Sequence, residues 1–247
     1  MMAHATKVRV DQLLVERGLA DSREKARALI IAGDVLVDGQ KSDKPGRSVA
    51  SDSQVTVTAR LPYVSRGGVK LAAALDHFGI NVGRNVCLDV GSSTGGFTDC
   101  LLQRGAARVW SVDVGHGQLD WKLRNDPRVV VREGVNARYL SPDEIPEQFD
   151  LAVCDVSFIS ATLLIPAMVP LLAKHGQMIV LVKPQFEVGK GEVGKGGIVR
   201  DPALHRAACD RVQACVEAHG FRAAIIESPI QGAEGNREFL LYAQGSL

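Results

Sequence analysis

The chain has 247 residues, of which 46% are hydrophobic and 23% are charged, a composition typical of a folded protein of one or two domains. Its 29 basic and 28 acidic residues give a formal net charge of +1, so the bulk charge supplies no electrostatic argument for nucleic acid binding. The most apolar stretch, residues 161–173, contains Pro166 and Pro170. It is too short and too interrupted for the roughly 20 residues that a membrane-spanning helix needs.

The amino-terminal residues and the cysteines together predict a cytoplasmic protein. Residues 1–10 lack the apolar segment of a secretory signal. The five cysteines are odd in number and form no Cys-x-x-Cys pair, so neither a disulfide framework nor a structural zinc site is expected. The six histidines form no metalloenzyme pattern either, and the sequence therefore predicts no metal site.

Residues 7–58 are predicted to form a small α+β unit. Glycines and turn-forming residues mark the limits of its elements. We expect a helix from Val10 to Gly18, a second helix begun by the capping-box pair Asp21 and Glu24 and ended by Gly33, and strands at 35–37 and 55–57. Residues 59–65 contain Pro62 and no strong periodicity, so we place the domain junction there, with domains at 1–60 and 61–247.

From about residue 66 onward, predicted strands and helices alternate. Strands are expected near 86–90, 108–113, 128–132, 150–155 and 177–183, and helices near 66–78, 95–104, 158–172 and 202–219. Continuous apolar strands are typical of a buried parallel sheet with helices on both faces. Two adjacent strands, at 223–227 and 238–243, are expected to follow. The fold class is therefore α/β, a Rossmann-like, mostly parallel sheet with an antiparallel last strand, preceded by a small α+β domain.

A glycine-rich turn at residues 88–97 follows the first strand of this sheet. Nucleotides bind at such turns in doubly wound folds, because glycines let the backbone approach a ligand closely. The next strand ends in Asp113, which is well placed to accept hydrogen bonds from ribose hydroxyls. The combination is similar to the S-adenosylmethionine site of class I methyltransferases, with a plain strand–helix turn as the alternative.

Two further apolar strands end in charged residues, Asp155 and Lys183. Both strand ends are expected to face the crevice beside the glycine-rich turn. Desolvation favours the neutral form of a lysine, which makes Lys183 a candidate general base. The alternative is that each charge simply caps a strand in solvent.

The segment GKGEVGKG, residues 189–196, nearly matches the phosphate-binding pattern G-x-x-x-x-G-K-[ST]. Gly196 replaces the hydroxyl residue that would hold magnesium, and no helix is predicted before Pro202. The segment therefore indicates a basic lid beside a phosphodiester substrate rather than a nucleotide triphosphatase. An unspecialised flexible loop is the alternative.

Basic residues surround the small amino-terminal unit and recur beside the predicted crevice. Such a cluster indicates RNA binding, with an ordinary solvated face as the alternative. Because only 5% of the residues are aromatic, recognition of folded RNA by shape and phosphate contacts is favoured over base stacking. The candidate RNA-binding residues are Arg9, Arg23, Lys25, Arg27, Lys41, Lys44, Arg47, Arg66, Lys190 and Lys195.

Four motifs together give a resemblance to a known family over nearly the whole chain. RVDQLLVERGL at residues 9–19 and SREKARALIIAGDVLVDG at 22–39 resemble the RNA-binding domain of the ribosomal protein S-four type. YVSRGGVKL at 63–71, followed by DVGSSTGGFTD at 89–99, is similar to the TlyA family, whose catalytic domain is of the FtsJ class. Members are ribosomal RNA cytidine 2′-O-methyltransferases that use S-adenosylmethionine, and some carry the label hemolysin.

The resemblance also implies functional residues. The Lys-Asp-Lys-Glu tetrad of the FtsJ class falls on Lys70, Asp155, Lys183 and Glu238. The implied cofactor-binding residues are Asp89, Gly91, Ser92, Ser93, Gly95, Gly96, Phe97, Asp113 and Asn136. Of these two sets, the residues alone had indicated only the glycine-rich turn, Asp113, Asp155 and Lys183.

The resemblance implies ribosomal RNA within ribosomal subunits as the partner and no membrane association. An RNA-binding protein without catalysis and a membrane-active hemolysin remain the alternative functions. The sequence leaves open the modified nucleotide, whether one or both subunits are substrates, and the oligomeric state, a monomer included.

Overall fold

The structure, a computed structural model, describes residues 6–31, 33–57, 62–232 and 235–245, except for the side chain of Lys190. The chain divides into two compact units, one within residues 1–60 and the other within residues 61–247.

The first unit combines two helices with short antiparallel strands, as far as its described residues show. The helices are α1 (Val10–Glu16) and α2 (Arg23–Ile31), and the strands are β1 (Lys7–Arg9), β2 (Val35–Val37), β3 (Gln40–Lys41), β4 (Ser48–Ala50) and β5 (Val55–Val57). Strand β1 pairs with β4, and β2 lies between β3 and β5. Val10, Leu14, Ile30 and Val35 are fully buried between the helices and these strands.

The start of α2 differs from the expected capping box. The hydroxyl of Ser22 accepts a hydrogen bond from the backbone N–H of Lys25 (3.2 Å), whereas the Asp21 carboxylate pairs with the Lys25 ammonium (2.5 Å). Ser22 therefore caps the helix, because its shorter side chain, one residue closer, reaches the free N–H group.

The described part of the second unit contains a seven-stranded, mostly parallel sheet, which confirms the predicted fold class. Its strands are β6 (Val86–Val90), β7 (Arg108–Asp113), β8 (Val129–Glu133), β9 (Phe149–Cys154), β10 (Leu172–Val182), β11 (Phe221–Glu227) and β12 (Phe239–Gly245). They lie in the order β11-β12-β10-β9-β6-β7-β8. Strand β12 is antiparallel to both of its neighbours, as predicted for the last strand.

Helices and short turns cover both faces of this sheet. The helices are α3 (Arg66–His77), α4 (Gly96–Gln103), α5 (Trp121–Arg124), α6 (Ile165–Met168), α7 (Pro184–Glu187) and α8 (Pro202–Ala218). Leu71 of α3 and Leu101 of α4 are buried on one face, and Val212 and Val216 of α8 on the other. The cysteines are free, and burial raises the pKa of Cys87 to about 12, so this thiol behaves as a core residue.

The predicted helix at 158–172 is wrong. The segment instead forms a 3₁₀ turn at Ala161–Leu163, the short helix α6 and a second 3₁₀ turn at Val169–Leu171, and β10 begins at Leu172. Pro166 and Pro170 explain the interruption, because proline has no N–H to donate and disfavours helical backbone in the residue before it.

Candidate active site

Two opposite strand directions bring the candidate catalytic residues to one edge of the sheet. Strands β6, β9 and β10 are parallel, so the glycine-rich turn, Asp155 and Lys183 follow their carboxyl ends at the same edge. Strand β12 is antiparallel, with Phe239 opposite Val182 of β10. Glu238, which precedes β12, therefore reaches the edge that Lys183 occupies.

Lys70 and Glu238 form a buried ion pair. The Lys70 ammonium donates a hydrogen bond to Oε2 of Glu238, and the two residues are only 7% and 3% exposed. Lys70 lies on α3, which packs against α4 and contacts β12. A buried lysine of this kind depends on its carboxylate partner, because an unpaired charge is costly away from water.

Asp155 and Lys183 form a second ion pair beside the first. Nζ of Lys183 lies 2.6 Å from Oδ1 of Asp155 and donates a hydrogen bond to the hydroxyl of Ser157 (3.0 Å). The side chains of Lys183 and Asp155 are 11% and 22% exposed. Both pairs line one cavity of about 500 Å³, which we call the catalytic cavity. The structure thus brings together all four residues of the predicted tetrad.

A second cavity, of about 520 Å³, adjoins the catalytic cavity. Ser93, Asp155, Ser157 and Phe158 line both. Gly91, Asp113 and Asn136, at or just after the ends of β6, β7 and β8, also line it. The aliphatic side chains of Val114, Val135, Ile159 and Leu164 line it as well. Its volume lies in the range of small-molecule sites, and we call it the cofactor cavity.

Gly91 lets the backbone pass close to the neighbouring strand end. Its φ is +80°, and a Cβ atom there would lie 2.4 Å from the carbonyl oxygen of Asp155. Any other residue would therefore be strained in its backbone and would also collide with the segment that carries Asp155.

The Asp113 carboxylate is held in place by two backbone donors. The N–H of Ser93 donates to Oδ2 (2.8 Å) and the N–H of Gly115 donates to Oδ1 (2.7 Å). A carboxylate oxygen can accept more than one hydrogen bond, so Asp113 retains capacity for ligand hydroxyls. Asn136 has less capacity to bind a ligand, because its side-chain oxygen already accepts a hydrogen bond from the backbone N–H of Arg138 (3.1 Å).

The other predicted cofactor residues contribute to packing around the cavity. Gly95 lies against Leu119 and Leu123, and Gly96 lies against Ser65 and the α3 backbone. Phe97 and Ser92 are buried. Cofactor contact by these residues stays a prediction.

Asp89 is buried beneath the glycine-rich turn. It accepts a hydrogen bond from the hydroxyl of Thr98 (2.6 Å), and burial raises the pKa of Asp89 to about 7. Its carboxyl group is enclosed within the protein. Contact between Asp89 and a cofactor stays a prediction.

Several of the predicted RNA-binding residues are partly neutralised by nearby acids. Arg9 and Arg23 both contact the buried carboxylate of Asp11, and Lys25 pairs with Asp21. All members of the set whose side chains the structure describes are exposed, these three included. Arg66 also lines the catalytic cavity, and the side chain of Lys190 lies outside the described part of the structure.

Sequence reasoning missed Phe158 as a residue of the site. It is 92% exposed, has a φ of +66°, and its ring centre lies 5.3 Å from that of Phe186. Left-handed backbone is rare for a bulky side chain and often marks a functional position. A phenylalanine as the first residue of the helix expected at 158–172 gave no such signal.

No helix in the described ranges is long and apolar enough to cross a membrane. Within those same ranges, no group of three or more His, Cys, Asp or Glu side chains could hold a metal ion.

Comparisons with known proteins assign families to both units. The FtsJ-like methyltransferase model matches residues 63–245, and the S4 domain model matches residues 8–55. The chain is 48% identical over 241 residues to the 16S/23S rRNA (cytidine-2′-O)-methyltransferase TlyA of Mycobacterium tuberculosis, with 96% of this chain and 90% of that protein covered.

Two other relatives carry the name hemolysin. Hemolysin A of Brachyspira hyodysenteriae is 42% identical, with 95% of this chain and 99% of that protein covered. A solved structure of a hemolysin-like protein from Streptococcus thermophilus is 42% identical, covers 99% of this chain and 90% of its own, and superposes with a TM-score of 0.75.

Proposed function

Because the chain belongs to the FtsJ-like methyltransferases, and among them to the TlyA family, we propose that it transfers a methyl group from S-adenosylmethionine to the ribose 2′-hydroxyl of a cytidine in ribosomal RNA. Two ion pairs, Lys70–Glu238 and Asp155–Lys183, line the catalytic cavity, and the cofactor cavity adjoins it. This arrangement is the observation that carries the proposal. The reaction requires this combination of a cofactor site and a proton acceptor at a shared boundary.

The cofactor cavity fits S-adenosylmethionine in its volume, about 520 Å³, and in its lining. Because Gly91 has no side chain, the turn that lines the cavity lies directly against the Asp155 carbonyl. Asp113 would accept from the ribose hydroxyls, and the aliphatic side chains of Val114, Val135 and Ile159 would surround the adenine. When bound there, S-adenosylmethionine supplies a methyl group that is already activated by its positively charged sulfur.

Lys183 is the proposed general base. Its Nζ would accept the proton of the 2′-hydroxyl, which requires the neutral amine at that moment. Asp155 and Ser157 hold this nitrogen in place through contacts of 2.6 and 3.0 Å. The Lys70–Glu238 pair, which lines the same cavity, would orient the ribose.

The experiment is incubation of separated ribosomal subunits with labelled S-adenosylmethionine, followed by mapping of the ribose methyl group. Lys183→Ala should lower the single-turnover rate about 10²–10⁴-fold, the usual contribution of a general base, while cofactor affinity is kept. Lys174→Ala is the matched control, because Lys174 is an exposed lysine near the other end of the same strand. Wild-type rates in Lys183→Ala would exclude this lysine as the base.

The first unit is proposed to supply affinity for ribosomal RNA, supported by its S4 domain match and its exposed basic residues. Deleting residues 1–60 should weaken RNA binding and reduce its dependence on salt, since fewer phosphates are then neutralised. Cofactor affinity should be largely unchanged. Equal RNA affinity with and without the unit would refute this role.

The hemolysin names of two relatives favour one second candidate, a membrane activity of this protein. Purified protein added to dye-loaded liposomes tests it directly. Dye release at concentrations that support methylation would establish that activity, and intact liposomes would exclude it.

A further inference from the structure

One wall of the catalytic cavity is built from a segment that is costly to order. Residues 189–199, which we call the glycine loop, contribute Val193 and Gly197 to the cavity lining. Gly196 and Gly197 both have positive φ, at +77° and +75°. Glycine loses more conformational freedom on folding than any other residue, so the loop needs contacts from other segments to keep one conformation.

Asn236 provides such contacts with both ends of its side-chain amide. Its Oδ1 accepts a hydrogen bond from the N–H of Val199 (3.0 Å), and its Nδ2 donates to the carbonyl of Gly197 (2.9 Å). The residue is 1% exposed. The two partners fix the orientation of the amide, since a backbone N–H can only donate and a carbonyl can only accept.

His205 of α8 completes the anchor from the other side. Its Nε2 lies 2.8 Å from the carbonyl oxygen of Val199, and the residue is 4% exposed. Because the carbonyl is an acceptor, Nε2 must carry the proton. Both backbone polar groups of Val199 are therefore bonded to buried side chains, which holds the end of the glycine loop on the body of the unit.

Asn236 also belongs to the turn that presents Glu238. Its carbonyl accepts a hydrogen bond from the N–H of Gly232 (2.9 Å). Gly232 lies so near Glu238 that a Cβ atom on it would be 2.5 Å from Oε1 of that carboxylate. One residue thus connects a wall of the catalytic cavity to the carboxylate that pairs with Lys70.

We propose that Asn236 is a positioning residue, which holds the glycine loop across the catalytic cavity in a fixed relation to Glu238 and so shapes the cavity for the RNA nucleotide. The inference rests on the proposed function. The described residues that line the cofactor cavity come from other segments than this loop. Loss of the anchor should therefore impair use of RNA and spare binding of S-adenosylmethionine.

The test compares Asn236→Ala with the wild-type full-length protein on ribosomal subunits. The KM for the methylated subunit should rise about tenfold or more, as expected when buried backbone groups lose their partners. The Kd for S-adenosylmethionine should stay within about twofold. Hydrogen exchange should accelerate at the backbone amides of residues 193–199, because the loop opens more often.

Two further variants separate positioning from general loss of structure. Asn81→Ala is the matched control. Oδ1 of Asn81 accepts a hydrogen bond from the backbone N–H of Gly83 (2.9 Å) in the loop before β6, at the edge of the sheet opposite the catalytic cavity. Loss of this bond should leave the KM unchanged. Gly196→Ala strains the glycine loop without contacting Asn236, because its φ is +77° and the space around it is open. It should raise the KM in the same way.

The outcomes distinguish this inference from the proposed function. Absence of methylation by the wild-type protein would overturn both. An active wild type together with a normal KM for Asn236→Ala would overturn the inference alone, as would unchanged exchange in the loop. If Asn236→Ala does not fold, a normal KM for Gly196→Ala would overturn it instead.

Discussion

Breaking the Lys70–Glu238 ion pair should destabilise the second unit, and removing both charges together should restore most of the loss. The two residues are 7% and 3% exposed, so water can only poorly solvate the charge that remains when its partner is removed. Loss of one member of a buried pair costs about 3–5 kcal/mol, whereas replacing both by apolar groups is often neutral or stabilising. Since both residues line a cavity, we expect Lys70→Met and Glu238→Leu each to cost about 3 kcal/mol, the lower end of that range.

Urea unfolding followed by tryptophan fluorescence measures this effect. Trp110 and Trp121 are the only two tryptophans, and both lie in the second unit, so the signal reports on that unit alone. The double variant should unfold near the wild-type midpoint, which gives a coupling energy of about 6 kcal/mol, the sum of the two single losses, in the double-mutant cycle. Methyl transfer should be lost in all three variants, because stability returns without the charges.

The matched control is the ion pair between Asp76 and Arg104, whose side chains are 63% and 35% exposed. Asp76→Asn should change the free energy of unfolding by no more than about 1 kcal/mol. Additive destabilisation in the Lys70→Met, Glu238→Leu double variant, to within about 0.5 kcal/mol, would show that the two charges do not interact in the folded protein. A double variant that keeps full activity would remove the pair from the reaction.

Three further outcomes follow from individual residues. Because the pKa of Asp89 rises from 3.8 to about 7 on folding, the folded protein binds a proton that the unfolded chain has released, so stability should fall as pH rises through that window. Asp89→Asn should remove this part of the slope in urea midpoints measured across it. Gly91→Ala should cost about 1–2 kcal/mol in backbone strain alone and should weaken S-adenosylmethionine binding in calorimetry, since its Cβ would displace the Asp155 carbonyl. The Arg9 guanidinium lowers the pKa of Asp11 from its usual 3.8. This carboxylate therefore stabilises the first unit above pH 3.8, and the stabilisation is lost as the pH falls further. Asp11→Asn should reduce the loss of stability of the first unit at acid pH, and an unchanged acid denaturation curve would contradict the assignment.

The sheet and half of the tetrad could be predicted from local sequence. Apolar strands that end in a charge place Asp155 and Lys183 at one edge, because parallel strands share a direction. Lys70 and Glu238 had no such local signal, since a lysine on a helix is usually exposed and a glutamate after a loop is unremarkable in sequence. They meet across 168 positions of the chain, and only the resemblance to a family indicated them.

The failures in the secondary structure also have local physical causes. The helix expected at 158–172 has the apolar content of a helix, but Pro166 and Pro170 divide it. In the first unit β1, β3 and β4 were not expected, and β3, with two residues, is too short to show an alternating pattern. The anchor formed by Asn236 depends on side-chain bonds to backbone groups about 40 residues away, which no local pattern contains.

The position of β12 also constrains the order in which the second unit can be completed. Strand β11 is synthesised first, yet it joins the sheet only through β12, which lies between it and β10. Neither strand can take its place until β12 has emerged from the ribosome. The ion pair between Lys70 and Glu238, the residue before β12, cannot form before that point either. A growing chain therefore lacks an assembled centre until β12 has taken its place in the sheet, and the proposed chemistry becomes possible only with that strand.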